Sequence, residues 1–543
     1  MSNDFDVIVI GAGAAGGIVA AVLAEAGKSV LLLERGGDGP TGTTGRDHLR
    51  NQRLSVYGHN AGPDILAHPR VATSSDGRSQ LLKAHEGGYQ NNAACVGGGT
   101  RVYGGMAWRF MPEDFRMATL YGVPAGSSLS DWPIGYDDLE PFYERAEWEI
   151  GVAGRSGADT HAGPRNKPYP LPPMPDNPER LVLQRGAEAL GLATFPAPML
   201  INTVPYNGRP ACGRCGMCVG FACPTDGKNG TQNTMIPRAL ATGRCKLITG
   251  AIVQRINTDQ HGRATGVSFF MNDQHQTCSA GVVVSSAGAI ESARLLLNSA
   301  TDKHPRGLGN DFDQVGRHLQ GHIYTGALGI MPDPVYDGMG PGVTIATTEF
   351  NHHNKGIVGG GLLANDFIKL PAIFVKWALP PEQPRWGLSA KQFVRENFRR
   401  TIHVQGPIHD IPNPEARVTI DPFVRDRWGI PVPRFSGTTH PESIRTADFL
   451  RNRAEDWLAA SGATKIWSHP PRLVLSGGQH QAGTCRMGYD PRTSVTNPWG
   501  QVHGHENLFV MDASVNVTNG GFNPVLTIMA LAFRNAVHLA DSL

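Results

Sequence analysis

At 543 residues, with 40% hydrophobic and 18% charged side chains, the composition is that of a soluble chain able to bury a large core over two domains. A formal charge of +2 offers no field for nucleic acid or an anionic membrane, and no apolar run approaches the ~20 residues a spanning helix needs. The acidic N-terminus runs at once into an apolar segment with no signal peptide, which points to a cytoplasmic protein. The 67 glycines and 40 prolines predict long, turn-rich connections, and there is no internal repeat.

The first segment, Asp6-Val7-Ile8-Val9-Ile10, reads as a buried strand and enters Gly11-Ala12-Gly13-Ala14-Ala15-Gly16. A helical pattern follows to a stop at Gly27, and a second apolar run, Val30 to Leu33, ends on Glu34 and Arg35. Strand, G-x-G-x-x-G turn, helix, strand and acid form the order of a dinucleotide site. Gly11 permits the tight turn, Gly13 lets backbone approach a pyrophosphate, and Gly16 lets helix and strand pack closely. The helix N-terminus offers unpaired N–H groups to phosphate. Glu34 can accept from ribose hydroxyls and repels a 2′-phosphate. The motif alone suits FAD or NAD.

Residues 36–80 are polar and Gly/Pro-rich with no clear period. Val96-Gly97-Gly98-Gly99-Thr100-Arg101-Val102-Tyr103-Gly104-Gly105-Met106-Ala107-Trp108-Arg109 holds too many glycines for a helix interior or a good strand, and suits backbone lying against something flat or charged. Residues 131–150 carry a helical pattern closed by Gly151, and 154–180 read as a Pro-rich surface connection. Strand-like runs follow at 246–256, which includes Ile252 and Val253, at 264–271 and at 282–286. The last enters Ala287-Gly288-Ala289 and a helix, a second strand–Gly–helix crossing of the same doubly wound sheet. From 311 to 470 short β-branched runs (344–348, 357–363, 402–404, 418–420) alternate with Gly/Pro turns. They predict a mostly antiparallel sheet with helices near 388–400 and 441–461, inserted as a substrate domain.

The C-terminal part brings three further features. His480 lies in Gly478-Gln479-His480-Gln481-Ala482-Gly483-Thr484, among polar residues, where a histidine can accept a proton at neutral pH. A strand from 507 to 511 ends on Asp512 and Ala513. Asn523 and Pro524 suit an N-cap and first residue of a terminal helix, the Asn523 oxygen capping and its NH2 left to donate to a substrate.

Of the eight cysteines, Cys95, Cys245, Cys278 and Cys485 are scattered and read as free and buried. The other four stand at Cys212-x2-Cys215-x2-Cys218-x4-Cys223-Pro224, close to a ferredoxin run but with one residue more in the last gap. Three readings compete: an Fe–S cluster giving a flavin an electron exit, a zinc site or disulfide pair stapling a loop, and reduced thiols packed near a domain junction.

Taken together, the residues from Gly11 to Glu34, Gly97 to Arg109, Ser286 to Ser292, and the His480-x-x-Gly-Thr and Asn523-Pro524 segments resemble the glucose–methanol–choline (GMC) family of FAD-dependent oxidoreductases. The resemblance implies a Rossmann-like FAD-binding domain formed by 1–130, 225–310 and 471–543, with 131–224 and 311–470 as the substrate domain and its Cys-rich connection. It implies His480 and Asn523 as the catalytic pair, and contact of Asp512 and Ala513 with FAD. The lack of a histidine in Met106-Ala107-Trp108-Arg109 implies that FAD is held non-covalently. The implied activity is oxidation of an alcohol, His480 taking the hydroxyl proton while hydride passes to flavin N5. The Cys-rich stretch and Asp226-Gly227-Lys228 look most like bacterial dehydrogenases of sugars, sugar acids and polyols. Some of those carry a cluster, pass electrons to a partner subunit and leave the cytoplasm with it. The expected substrate is thus a sugar, a polyol or a sugar-containing metabolite such as an aminoglycoside, with the electron acceptor left open. An electron-transferring large subunit that uses an Fe–S cluster and a partner protein is the alternative.

Overall fold

The structure is a computed structural model describing residues 4–38, 62–86, 88–90, 93–366 and 369–543. Its centre is a sheet whose parallel part runs Cys245–Thr249, Val30–Glu34, Phe5–Ile10, Gln274–Ser285 and Leu508–Val510. Val7 lies opposite both Val30 and Val282. Both faces of these strands are covered, so their apolar runs are unbroken rather than alternating. The N-terminal half of Gln274–Ser285 leaves the parallel part and pairs antiparallel with Ala264–Met271, which pairs with Ile252–Thr258. The expected strand over 246–256 is therefore two strands in different parts of the sheet, separated at Gly250, whose φ is +69°.

The helix Gly16–Glu25 is buried from Gly16 through Ala24, which explains why its sequence is apolar all round. It packs against the helices Met235–Ala241 and Val525–Ser542. Its crossing over the first strand is possible only with glycine: a Cβ on Gly16 would lie 1.9 Å from the Gly11 carbonyl oxygen.

A second, antiparallel sheet runs Ala346–Thr347, Leu363–Asn365, Thr401–Pro407, Tyr324–Ile330 and Lys465–Ser468. The helices Pro441–Ala460 and Pro178–Leu190 pack beneath it, around the buried Trp457. The runs expected at 344–348 and 357–363 shrink or shift: Gly360 and Gly361 lie against the Phe350 and Pro407 carbonyls, and Gly359 against the His409 ring. The run at 418–420 belongs to a third sheet, in which Arg417–Arg425 and Pro431–Ser436 join Arg70–Thr73 and Ser79–Leu82. This sheet unites strands from both expected domains. Of its two early strands, Arg70–Thr73 lies within the 36–80 stretch that showed no period and Ser79–Leu82 straddles its end; residues 39–61 of that stretch fall outside the described residues. The helix Pro178–Leu190 starts at the end of the Pro-rich 154–180 stretch and was not anticipated. Asn177 caps it, Oδ1 accepting from Arg180 N at 2.9 Å, and Gly191 closes it.

Last, a two-stranded ribbon pairs Gln479–Ala482 with Gln320–His322, Gln479 facing His322. No helix among the described residues is long and apolar enough to cross a membrane. Gly16→Ala drives a methyl group into backbone, an overpacking that costs about 1–3 kcal/mol. The expected outcome is a lowered thermal midpoint by calorimetry together with weakened dinucleotide retention.

Candidate functional site

Two adjoining cavities share Ala14, Ala93, Gly99, Gly288, Ala513 and Ile528 as common wall, forming one elongated cleft. The first lies over the ends of the parallel strands, the crevice where open α/β sheets bind ligands. Of the sequence-predicted residues, Gly11, Gly13, Ala14, Ala15, Glu34, Arg35, Gly98, Ile252, Val253, Ala287, Gly288, Asp512 and Ala513 line it. A Cβ on Gly13, Gly99 or Gly288 would meet nothing within 4 Å, so bare backbone walls an open trough beside the start of the Gly16–Glu25 helix. Ala12, Gly16, Gly97 and Ala107 do not face the cleft; they hold its wall from behind. The Gly97 N–H donates to Ala12 O at 2.7 Å, and the Ala107 N–H to Pro198 O at 2.9 Å.

Glu34 accepts from the Ala12 N–H at 2.9 Å and the Gly36 N–H at 2.8 Å. Burial pushes its carboxyl up against the pull of these donors. At the same end, burial raises the pKa of Glu291 less than the Arg35, Arg70 and Arg294 guanidiniums lower it, so it stays well below the usual carboxylate range. Asp512 stitches the second crossing together. Its carboxylate accepts from the Gly288 N–H (2.9 Å), the Ser292 hydroxyl (2.6 Å), and the Ser514 N–H and hydroxyl (2.8 and 2.6 Å).

The second cavity is walled by Thr100, Gly104, Gly105 and Met106 on one side and by His480, Asn523 and Pro524 on another. The structure thus brings His480 and Asn523 to the Gly-rich loop, which lies hundreds of residues before them in sequence. His480 holds φ +59°, the left-handed region, where the ribbon register shifts between Gln479 and Ala482. A bulge of this kind re-aims a side chain. Asn519 Nδ2 secures the turn by donating to His480 O at 2.7 Å.

His322, which the sequence did not single out, lies directly behind. Its Nε2 is 2.9 Å from Gly520 O, and its Nδ1 is 2.9 Å from His480 Nδ1. A carbonyl only accepts, so His322 Nε2 carries the proton and its Nδ1 the lone pair. His480 Nδ1–H must then donate to His322, which leaves the His480 lone pair on Nε2. Burial pushes the His322 pKa down to about 4, so the ring is neutral and the order holds at neutral pH.

Asn523 corrects one expectation. The terminal helix begins at Val525 with Pro524 at the cap, and no side-chain oxygen caps it. Instead Asn523 Nδ2 donates to the Tyr324 hydroxyl at 2.7 Å, while its buried Oδ1 has no hydrogen-bond partner among the described residues. Tyr324 and Gln405, both on the antiparallel sheet, also line this cavity and were missed. Neither they nor His322 carry a local cue, because their positions depend on strand pairings over long sequence separations.

The four clustered cysteines are unpaired, Cys218 buried and the others partly so. Burial pushes the Cys218 thiol up to about 12. Lys228 Nζ donates to the carbonyls of Tyr103, Cys218 and Phe221 (2.9, 2.7 and 2.9 Å), tying this loop to the Gly-rich one, and Val219 reaches the second cavity. Of the scattered cysteines, Cys95, Cys245 and Cys485 are buried as expected, but Cys278 is half-buried.

Comparison with known proteins matches this arrangement. The N- and C-terminal models of the GMC oxidoreductase family match residues 5–324 and 412–532. The chain is 30% identical to the fructose dehydrogenase large subunit of Gluconobacter japonicus, over 100% of this chain and 99% of that protein. It is 30% identical to paromamine 6′-oxidase of Streptomyces fradiae (99% and 92%) and 31% identical to 2-methyl-1,2-propanediol dehydrogenase of Mycolicibacterium austroafricanum (98% and 94%). Among solved structures, pyridoxine 4-oxidase from Mesorbium loti shares the fold, with a TM-score of 0.63 at 18% identity over 98% of each chain. The protein is a member of the GMC oxidoreductase family, an FAD-dependent enzyme class acting on alcohol groups.

Proposed function

We propose that this enzyme oxidises a hydroxyl group on a sugar, a polyol or a sugar-bearing metabolite, with FAD held non-covalently along the cleft. The cleft suits FAD. Gly13, Gly99 and Gly288 leave room for backbone contact with a pyrophosphate, Glu34 stands where a ribose would lie, and the Gly104–Met106 edge opens onto the second cavity. When bound, FAD supplies the two-electron acceptor. Relatives named for fructose, paromamine and a diol support a hydroxyl-rich substrate. So do the amide and hydroxyl groups of Gln405, Gln479, Gln481, Asn523 and Tyr324 around the second cavity.

The observation that carries the reading is the Gly520–His322–His480 chain. It leaves His480 Nε2 as the basic nitrogen of a ring that lines the substrate cavity. His480 takes the hydroxyl proton at Nε2. Asn523 and Tyr324, held together by their hydrogen bond, orient the substrate oxygens. General base catalysis of this kind is worth ~10²–10⁴-fold.

A second reading adds an electron exit at Cys212, Cys215, Cys218 and Cys223, through an Fe–S cluster to a partner subunit. It is favoured by the contact of their loop with the Gly-rich loop, and by a relative named as a large subunit.

The test is anaerobic bleaching of the bound flavin by sugars, polyols and aminoglycosides, followed by admission of air and iron analysis of the same sample. Fast recovery in air identifies an oxidase, and iron at cluster stoichiometry identifies the second reading. Failure of every such alcohol to bleach the flavin overturns the proposal. His480→Ala is expected to keep its FAD and slow bleaching by ~10²–10⁴-fold. For His322→Leu we expect a milder loss of about 10–100-fold, the range for an outer partner that orients a histidine. Its acid limb of activity should also move, because His480 is then free to exchange tautomers. An unchanged pH profile in rapid-reaction measurements would remove His322 from the mechanism.

A further inference from the structure

Beside Gly521, the residue after the carbonyl that holds His322, Asp114, His352 and His409 converge from three separate segments. All are buried, and one ligand atom of each lies within 4.8 Å of the other two. Asp114 Oδ2 is occupied by the Met111 N–H at 2.6 Å. Oδ1 faces both rings, at 2.5 Å from His409 Nε2 and 3.3 Å from His352 Nε2. The two imidazole centroids are 4.8 Å apart.

The outward nitrogens are anchored. His352 Nδ1 sits 2.9 Å from the Tyr121 hydroxyl, and His409 Nδ1 sits 3.0 Å from Gly360 O and 3.1 Å from Gly360 N. Outer contacts of this kind fix ring orientation and turn Nε2 inward, as they do for metal-ligating histidines.

One carboxylate oxygen does not satisfy this cluster. Buried polar groups are ordinarily hydrogen-bonded. Yet His352 Nε2 has no hydrogen-bond partner among the described residues, even with Asp114 Oδ1 at 3.3 Å. Both amide atoms of the neighbouring Asn351, fully buried, are likewise without one. A Cβ on Gly521 would lie 2.9 Å from both Asn351 Nδ2 and His409 Cε1, so the unsatisfied amide and the His409 ring flank the same glycine.

We propose that Asp114, His352 and His409 form a site for a divalent transition-metal cation, zinc being the best match, which braces the three segments beside Gly521. Two imidazoles and a carboxylate suit zinc among the borderline metals, and no thiolate is present to favour a softer ion. Tetrahedral zinc places its ligand atoms roughly 3.4 Å apart. The His352–Asp114 edge already has that length; the His409–Asp114 contact opens as the cation replaces the proton between them. Binding therefore displaces the proton held between His409 Nε2 and Asp114 Oδ1, and gives His352 Nε2 the partner it lacks.

The test uses the FAD-loaded enzyme, stripped with a chelator, incubated with zinc sulfate alone and passed through gel filtration before elemental analysis. One equivalent of zinc per chain is expected, with a raised thermal midpoint. His352→Gln and His409→Gln, checked for normal FAD absorbance, should lose it. A Cys212→Ser/Cys215→Ser variant should keep it, which separates this site from the cysteine loop. Cobalt substitution should give visible d–d bands without the near-ultraviolet thiolate charge-transfer band. No zinc on the wild type, zinc retained by both histidine variants, or a thiolate band on the cobalt form each overturns the proposal.

Discussion

Everything in this fold hangs on one approach of backbone to backbone, the helix from Gly16 lying directly over Gly11 with no side chain between them. That crossing sets the tilt of the helix, and the tilt sets where its free N–H groups point. The same economy recurs where a Cβ on Gly98 would come within 3.0 Å of Gly13 Cα, bringing the Gly-rich loop onto the first turn. Two glycine loops in contact leave a trough between them with peptide groups for walls. A long, charged and partly aromatic cofactor fits such a trough, because peptide N–H groups meet phosphate and flat backbone meets rings.

The chemistry depends on a different kind of closeness. The ribbon of Gln479–Ala482 with Gln320–His322 contributes little area, but it sets the protonation pattern of two histidines. A carbonyl acceptor at one end decides which nitrogen is basic at the other. Burial supports the arrangement by keeping His322 neutral. A strained backbone at His480 is the local cost, and the Asn519 amide on its carbonyl helps hold it.

The dinucleotide half was legible because each part is local. A strand, three glycines, a helix and an acid follow one another within thirty residues, and each has one physical reason to be there. The Gly-rich loop, the second crossing at Gly288 and Asp512, and His480 with Asn523 were also readable as pieces. Illegible were the relations between pieces. Nothing near His322 or Tyr324 announces a partner at 480 or 523, since strand pairing is decided by the whole core. The same is true of Arg70–Thr73 and Ser79–Leu82, four-residue strands with no clean alternation, which find their sheet beside Pro431–Ser436. The role of Asn523 was misread for a related reason. Helix capping is a local rule about the side-chain oxygen, and here the bond that forms is from the Asn523 NH2 to Tyr324 on another sheet, while the oxygen caps nothing.

Tyr324 and Gln405 stand on strands that pair with each other, and neither strand belongs to the sheet that carries the glycine loops. These two lining residues of the second cavity and the glycines that frame the long trough therefore stand on separate scaffolds. Side chains on the antiparallel sheet are free to change size and polarity over generations while the glycine crossings stay fixed. A lineage built this way can move from one hydroxylated compound to another by drift on a single surface. That is a physical basis for relatives named after fructose, an aminoglycoside and a branched diol sharing one frame.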